Sequence, residues 1–387
     1  MRIGILTFHR SINYGAFMQC YALSHKLQER YPNHVIEVVD FEFLYKHKDY
    51  RKSICSISPL GIEYYIKYTR FQKDLLLLPL SKESFITDDT DDLCEYLNKN
   101  YDIVIVGSDA VWADKKGISD GNPYWLFGNK LKSVIKMSYA ASAFSTDFDN
   151  LTKEEREFYK EKLSSFSYIG IRDYATKGFV ESLFQDETQM KNIHINHDPT
   201  FFLEPSINRE LSTSVLRKNL IFGNKPIMSF MTRKLPCIES IRKQYSNQYR
   251  MLHFHIRNSI KEDLIDSRCR LVNNLSPFEW YNLYSLVSIN LTNYFHGACL
   301  GLVNHVPTIV IDDSRYKYMS KYAQVMIDLG LSDRLFSIKN LDTEKLMSAI
   351  DSCINNREEE ISRICKAIDK ERVKSSSFFS FLDSILR

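Results

Sequence analysis

Glycine and proline are scarce in this chain, at 13 and 10 of 387 residues. That scarcity excludes collagen-like and long low-complexity tracts. Close cysteine pairs are missing as well. The eight cysteines (Cys20, Cys55, Cys94, Cys237, Cys269, Cys299, Cys353, Cys365) are scattered without a C-x-x-C. Neither a zinc site nor a disulfide framework is indicated, and reduced, mostly buried thiols are expected. No sign of charge dominates: 51 basic against 48 acidic residues leave a net charge of +3. Such balance gives no argument for a nucleic-acid surface. Long hydrophobic runs are absent too. The longest aliphatic stretch, "LLLLPL" at 75–80, falls far short of the roughly 20 residues a membrane span needs. The start "MRIGILTFHR" enters a strand pattern without the apolar core and cleavage site of a secretory signal. A soluble, cytoplasmic protein is expected, either free or peripheral at the inner face of the membrane.

What is present is globular: 44% hydrophobic, 26% charged and 13% aromatic residues. At this length two domains are the prior. Short apolar runs alternate with helical patterns along almost the whole chain, which argues α/β architecture with mainly parallel sheets. "RIGILTF", a polar loop "HRSINYG", the helix "AFMQCYALSHKLQER" and the strand "HVIEVVDF" make a βαβ unit. A helical region from about 60 to 100, interrupted near Pro79, comes next, and then the strands "YDIVIVGSD" and "KMSYAASA". A helix with a Thr152–Glu155 capping-box pattern leads into "SYIGIRD" and "NIHINHDPTFFL". Between 204 and 225 the chain is polar and irregular, a candidate linker. The alternation restarts with "PIMSFMTR", "RMLHFHI", "SINLTNY" and "PTIVIDD" as strands. The expected architecture is two Rossmann-like domains, 1–215 and 216–387, facing a cleft in a GT-B-like arrangement, with C-terminal helices packing back across it. That cleft is the default ligand site.

Chemistry-bearing residues are sought at strand carboxyl ends, because that edge supplies ligand loops in open sheets. Asn13, Tyr14 and Gly15 start a helix and could either cradle an anion or simply cap a turn. The glycine density of a dinucleotide or nucleotide loop is lacking there, so neither NAD nor ATP is indicated. Ser108 and Asp109 end a strand and could hold a sugar hydroxyl or close an Asx turn. Trp112 could be core or a sugar-stacking face. Arg172 and Arg233 each end a strand, where a guanidinium suits carboxylate or phosphate. Arg172 is equally able to pair with Asp173 or Asp198. Asp198, held extended before Pro199, could orient a substrate or close a turn. His253 and His255 share one face of a strand, half a metal site with no identifiable third ligand. His296 lies at a strand-to-helix junction, followed by Gly297, which permits close backbone approach. Imidazole is the best general acid/base near neutral pH.

The order "NYGAFMQCYAL", "VIVGSDAVW", "SYAAS", "IGIRD", "DPT" and "YFHGACLGLVNHVPTIVID" resembles the polysaccharide pyruvyl transferase family across most of the chain. The resemblance implies transfer of a pyruvyl group from phosphoenolpyruvate to hydroxyls of a bacterial polysaccharide or its repeat-unit precursor, free or lipid-linked. A cyclic ketal forms and phosphate is released. No cofactor and no metal is implied for the transfer. The family's proton-transfer histidine falls on His296. Donor contacts would come from Arg233, Arg172, Asn13, Tyr14, Gly15, Tyr294 and Gly297, and acceptor contacts from Ser108, Asp109 and Trp112. Tyr294 stands where many members carry arginine. The competing expectations are a GT-B nucleotide-sugar glycosyltransferase, for which Asp312, Asp313 and Arg315 would grip the nucleotide, and a non-catalytic glycan-binding protein of the same fold.

Overall fold

The structure is a computed structural model, and it describes residues 1–386 apart from 56–57, 114–121, 128–129, 145, 185–189, 233–234, 255–268 and 313–318. Among the described residues lie two sheets, each wholly parallel. The first has seven strands: β1 (Arg2–Leu6), β2 (Val35–Glu42), β3 (Leu80–Ile86), β4 (Ile103–Val106), β5 (Ile135–Ala141), β6 (Tyr168–Ile171) and β7 (Ile193–Ile195). Their spatial order is β3-β2-β1-β4-β5-β6-β7. The second has six: β8 (Ile227–Met231), β9 (Arg250–Phe254), β10 (Cys269–Val272), β11 (Val287–Thr292), β12 (Thr308–Asp312) and β13 (Leu335–Ser337), in the order β10-β9-β8-β11-β12-β13.

Parallel strands covered on both faces need continuous apolar runs rather than alternation, and the central strands have them. "IVIV" of β4 is buried at every position, and Ile3, Ile5 and Leu6 of β1 are fully buried. Three strands escape that logic and are missing from the sequence reading. β3, inside the stretch expected to be helical, is an edge strand with the polar run "LSKESFI", most of it half-buried or exposed. β10 and β13 are also edge strands, four and three residues long. An edge strand buries little, so it leaves no hydrophobic period to read. The irregular stretch 204–225 likewise contains a helix, Arg209–Lys218, which packs on the helix Pro277–Leu283 through Ser212, whose hydroxyl donates to the Asn282 carbonyl at 2.6 Å.

The capping box at the start of the helix Lys153–Ser164 is formed: Glu155 N–H donates to Thr152 Oγ1 at 3.2 Å, and Thr152 N–H to Glu155 Oε2 at 2.7 Å. The chain end ties the two sheets together. The helix Thr343–Asn355 packs Leu346 and Ile350 against Ile289 and Ile309 of the second sheet. The helix Ser376–Ile385 packs Phe378 and Leu382 against Ile3, Ile5 and Ile103 of the first. Between the sheets lies a shared apolar core. In it Tyr14, Phe17 and Met18, from the helix that follows β1, meet Trp280, Leu283, Phe295 and Leu302. Each such side chain removed from water contributes about 1.5–3 kcal/mol, enough to make the two halves one packed unit.

Candidate active site

Each sheet reverses its strand order once, between β1 and β4 in the first and between β8 and β11 in the second. Loops diverge at such a point and leave a crevice at the strand carboxyl ends. The two crevices face each other across one cavity of about 540 Å³. Asn13, Tyr14, Gly15 and Asp109 line it from the first switch point; Met231, Tyr294, Phe295, His296 and Gly297 line it from the second. Tyr64 and Lys67, from a helix inserted between β2 and β3, and Lys321, at the start of the helix after β12, complete much of the wall.

The first switch point is internally satisfied. Asn13 Oδ1 accepts from the N–H groups of Gly15 and Ala16 at 3.1 and 3.4 Å, so it caps the helix Tyr14–Arg30. The Tyr14 hydroxyl donates across to the Leu275 carbonyl, and burial first, then Glu279, pushes its ionisation far above the ordinary tyrosine range. Upstream, His9 Nε2 and the Arg10 guanidinium both engage Asp40, the former at 2.9 Å, which pins the loop to β2.

Gly15 has a further reason to be glycine. A Cβ placed there would lie 2.0 Å from His296 Nδ1, far inside contact distance. Absence of that carbon allows the imidazole of one half to lie on the backbone of the other. Gly297 plays a similar part within the second half, where a Cβ would meet Thr292 Oγ1 at 2.7 Å and Met231 Sδ at 2.9 Å.

Under the cavity runs a buried ionic chain. Arg172 Nη2 donates to Asp109 Oδ1 at 3.1 Å and Arg172 Nη1 to Asp198 Oδ2 at 2.8 Å. His296 Nε2 stands 3.6 Å from Asp198 Oδ2, an ion-pair separation too long for a hydrogen bond. Asp109 adopts φ +79°, a left-handed conformation that costs a non-glycine residue strain and is typical of functional turns. Burial alone would raise both carboxyls. Arg172, Lys321 and His296 outweigh it at Asp109, whose ionisation falls to about 2. At Asp198, His296 and Arg172 outweigh burial and drive the ionisation well below the carboxylate range. Burial and the neighbouring Arg172 lower the Lys321 ammonium, whose Nζ lies 4.8 Å from the Phe295 ring centroid. Gln324, on the same helix as Lys321, accepts from Tyr174 N–H at 2.9 Å and donates to the Arg172 carbonyl at 3.2 Å, fixing that helix to the first half.

Several expected ligand residues occupy other positions. Arg172 is 5% exposed and does not line the cavity; two of its guanidinium nitrogens are taken by carboxylates. Of its two anticipated partners, Asp198 is found, and Asp173 instead caps its own helix by accepting from Thr176 N–H at 2.8 Å. Ser108 is fully buried, with its hydroxyl donating to the Ala140 carbonyl at 3.0 Å and its N–H to Gln19 Oε1 at 3.1 Å. Trp112 is core: it stacks on Trp125 with ring centroids 5.1 Å apart and donates to the Tyr124 carbonyl at 2.9 Å. A face covered by another indole has no room for a sugar. Asp312 accepts from the Ser320 hydroxyl at 2.7 Å, and His253 Nε2 meets the Thr232 carbonyl at 3.1 Å. Arg233, His255, Asp313 and Arg315 lie outside the described residues. Among the described residues no three histidine, cysteine or carboxylate side chains are grouped as metal ligands, and no helix is long and apolar enough to cross a membrane.

A family model described as "Polysaccharide pyruvyl transferase" matches residues 13–315, which include Asn13, Gly15, Asp109, Arg172, Asp198 and His296. The chain belongs to the polysaccharide pyruvyl transferase family. A comparison with curated proteins finds no match. Solved structures share the architecture of this family member at low identity. A UDP-GlcNAc 2-epimerase from Neisseria meningitidis aligns with TM-score 0.57 and 10% identity, over 99% of this chain and 100% of that one. A glycosyltransferase from Rickettsia africae aligns with TM-score 0.57 and 13% identity, over 100% and 98%. The UDP-GlcNAc 2-epimerase from Methanocaldococcus jannaschii gives 0.53 and 14%, over 92% and 93%. The pyruvyl transferase family member thus has the two-sheet GT-B fold.

Proposed function

We propose that the protein moves the pyruvyl group of phosphoenolpyruvate onto two hydroxyls of one sugar in a bacterial polysaccharide or its repeat-unit precursor. The carrying observation is His296, whose ring lines the interdomain cavity with a buried carboxylate behind it. The chemistry asks for such a group. Protonation of the donor's methylene carbon makes its enol carbon cationic, and a sugar hydroxyl attacks that carbon. Phosphate leaves, a second hydroxyl closes the ketal, and the two hydroxyl protons pass to the base and to phosphate. One imidazole that gives the first proton and recovers another serves the whole cycle.

The donor carries a carboxylate and a phosphate and needs positive charge around it. Lys67 and Lys321 line the cavity. The helix Phe295–Val303 also begins there without a side-chain cap, so its N-terminal N–H groups add partial positive charge. These groups take over the role that the sequence reading gave to Arg172. Tyr294, at the N-cap position of that helix, supplies a hydroxyl rather than a charge at the donor's edge.

The test offers phosphoenolpyruvate with a panel of glycosides and follows phosphate release together with the mass of the product. Phosphate release matched by a pyruvyl ketal on the glycoside is expected. Thermal stabilisation by nucleotide sugars alone, with none by phosphoenolpyruvate, would overturn the assignment, since only a ligand of the folded state raises stability.

A further inference from the structure

We propose that Asp198 is a positioning residue that fixes which nitrogen of His296 handles the proton: Nε2 belongs to the carboxylate and Nδ1 to the ligand. The inference rests on His296 being the acid/base of the reaction proposed above. His296 Nε2 is buried and has no hydrogen-bond partner among the described residues. A buried ring nitrogen left alone is costly, and what it faces is Asp198 Oδ2 at 3.6 Å. The carboxylate itself is rigidly held. Oδ1 accepts from Thr200 N–H at 3.0 Å and from its hydroxyl at 2.7 Å, and Oδ2 accepts from Arg172 at 2.8 Å. A carboxylate oxygen has room for a second donor, so Oδ2 keeps one position open towards the imidazole.

Asp198 follows β7 of the first sheet, whereas His296 follows β11 of the second. Their separation therefore measures how closely the two halves approach. Closing by about 0.8 Å brings the pair to an ordinary charge-assisted N–H···O distance. Nδ1 lies at the other side of the ring, against the Gly15 backbone, where both residues line the cavity. With a proton held on Nε2, neutral His296 presents a lone pair at Nδ1, and the cationic ring presents N–H there. One nitrogen thus acts as both base and acid.

Charge balance makes the effect directional. The groups around the ring are Asp198 and Asp109, both held ionised, with Arg172 and Lys321 as cations, and the Cys299 thiol, whose ionisation burial pushes far up. Lys67 lines the same cavity. Asp198→Asn removes one of the two carboxylates beside the ring and leaves the cations in place, which disfavours the imidazolium.

The test is histidine-15N NMR on the intact chain without donor, the His296 signal among ten histidines being identified by its loss in His296→Ala. Wild type should show the Nε2–H tautomer when neutral. In Asp198→Asn the ionisation of His296 should fall by at least tenfold in proton affinity. The alkaline limb of the pH–rate profile, where the proton-donating imidazolium is lost, should move to lower pH with it, kcat falling more than the donor KM changes, and Asp198→Glu should recover part of the loss. A neutral Nδ1–H tautomer in wild type overturns the proposal, as does an unmoved His296 titration in a folded Asp198→Asn. The wild-type tautomer decides even if the variant fails to fold. An Nε2–H tautomer without any pyruvyl transfer would leave the positioning intact and remove only the proposed reaction.

Discussion

Two histidines meet Asp198, one at its backbone carbonyl and one facing its carboxylate, and their surroundings differ. His197 is 2% exposed; its Nδ1 donates to the Asp198 backbone carbonyl at 2.8 Å, and its ring sits among Tyr139, Phe201 and Phe202. Burial holds its ionisation down to about 4, so it stays neutral. His296 meets the same residue through the carboxylate, lines a cavity, and has Asp109 and Lys321 close by. In sequence, "NHDP" and "YFHG" look equally promising. What separates them is a void on one side and reachable negative charge on the other. A histidine wrapped in aromatic rings is a packing residue; one set between a carboxylate and a cavity can move protons.

That contrast can be broken at three points. The largest effect is expected at Arg172, which holds the Asp198 carboxylate that His296 faces. Arg172→Ala takes from two buried carboxylates the guanidinium that hydrogen-bonds both and should cost about 3–5 kcal/mol, read as a drop in urea midpoint. A loss under about 1 kcal/mol would mean that water reaches the cluster and screens it.

Next is His197. Its folded ionisation lies near 4 against 6.5 for the free side chain. The unfolded chain therefore takes up the proton first as pH falls. The corresponding stability is intact above pH 6.5 and disappears progressively between 6.5 and 4, by roughly 3 kcal/mol. Wild type should lose that much more than His197→Phe when unfolding at pH 7 and pH 4 is compared. Parallel losses in the two chains would place His197 in water rather than in the aromatic layer.

The smallest of the three concerns Gly15. Gly15→Ala places a carbon where His296 Nδ1 now lies, so the ring must shift by about 1 Å, a displacement that costs on the order of 100-fold in turnover. Thermal stability should fall as well, because the added carbon also meets His296 Cγ at 2.3 Å and Cβ at 2.8 Å, which turning the ring alone does not clear. Unchanged turnover would show that the ring does not work from its present position.

Much of the fold was legible because buried parallel strands are apolar on both faces, as "RIGILTF" and "YDIVIVGSD" are. β3, β10 and β13 were not, since each lies at an edge and buries too little to leave a pattern. At the site, His296, Asp109 and Gly15 were visible from their places at strand ends. Arg172 was read as either a ligand contact or a partner of Asp173 or Asp198; the Asp198 pairing is found, whereas nothing in "GIRDYAT" reveals that Asp109, 63 residues away, pairs with it as well. Trp112 carried no sign that Trp125 would cover it. Lys321 begins a helix after a strand and could have been found by the same strand-end rule. Lys67 could not, because it reaches the cavity from a helix inserted between β2 and β3, and only the packing of the two halves brings it there.

The most direct test of the central claim compares wild type with His296→Ala at saturating phosphoenolpyruvate, following ketal formation on an accepted glycoside. Turnover should fall by about 10²–10⁴-fold, the range a positioned acid/base supplies, with the thermal midpoint and its rise on adding donor both retained. Near-normal turnover in a folded His296→Ala protein would contradict the account.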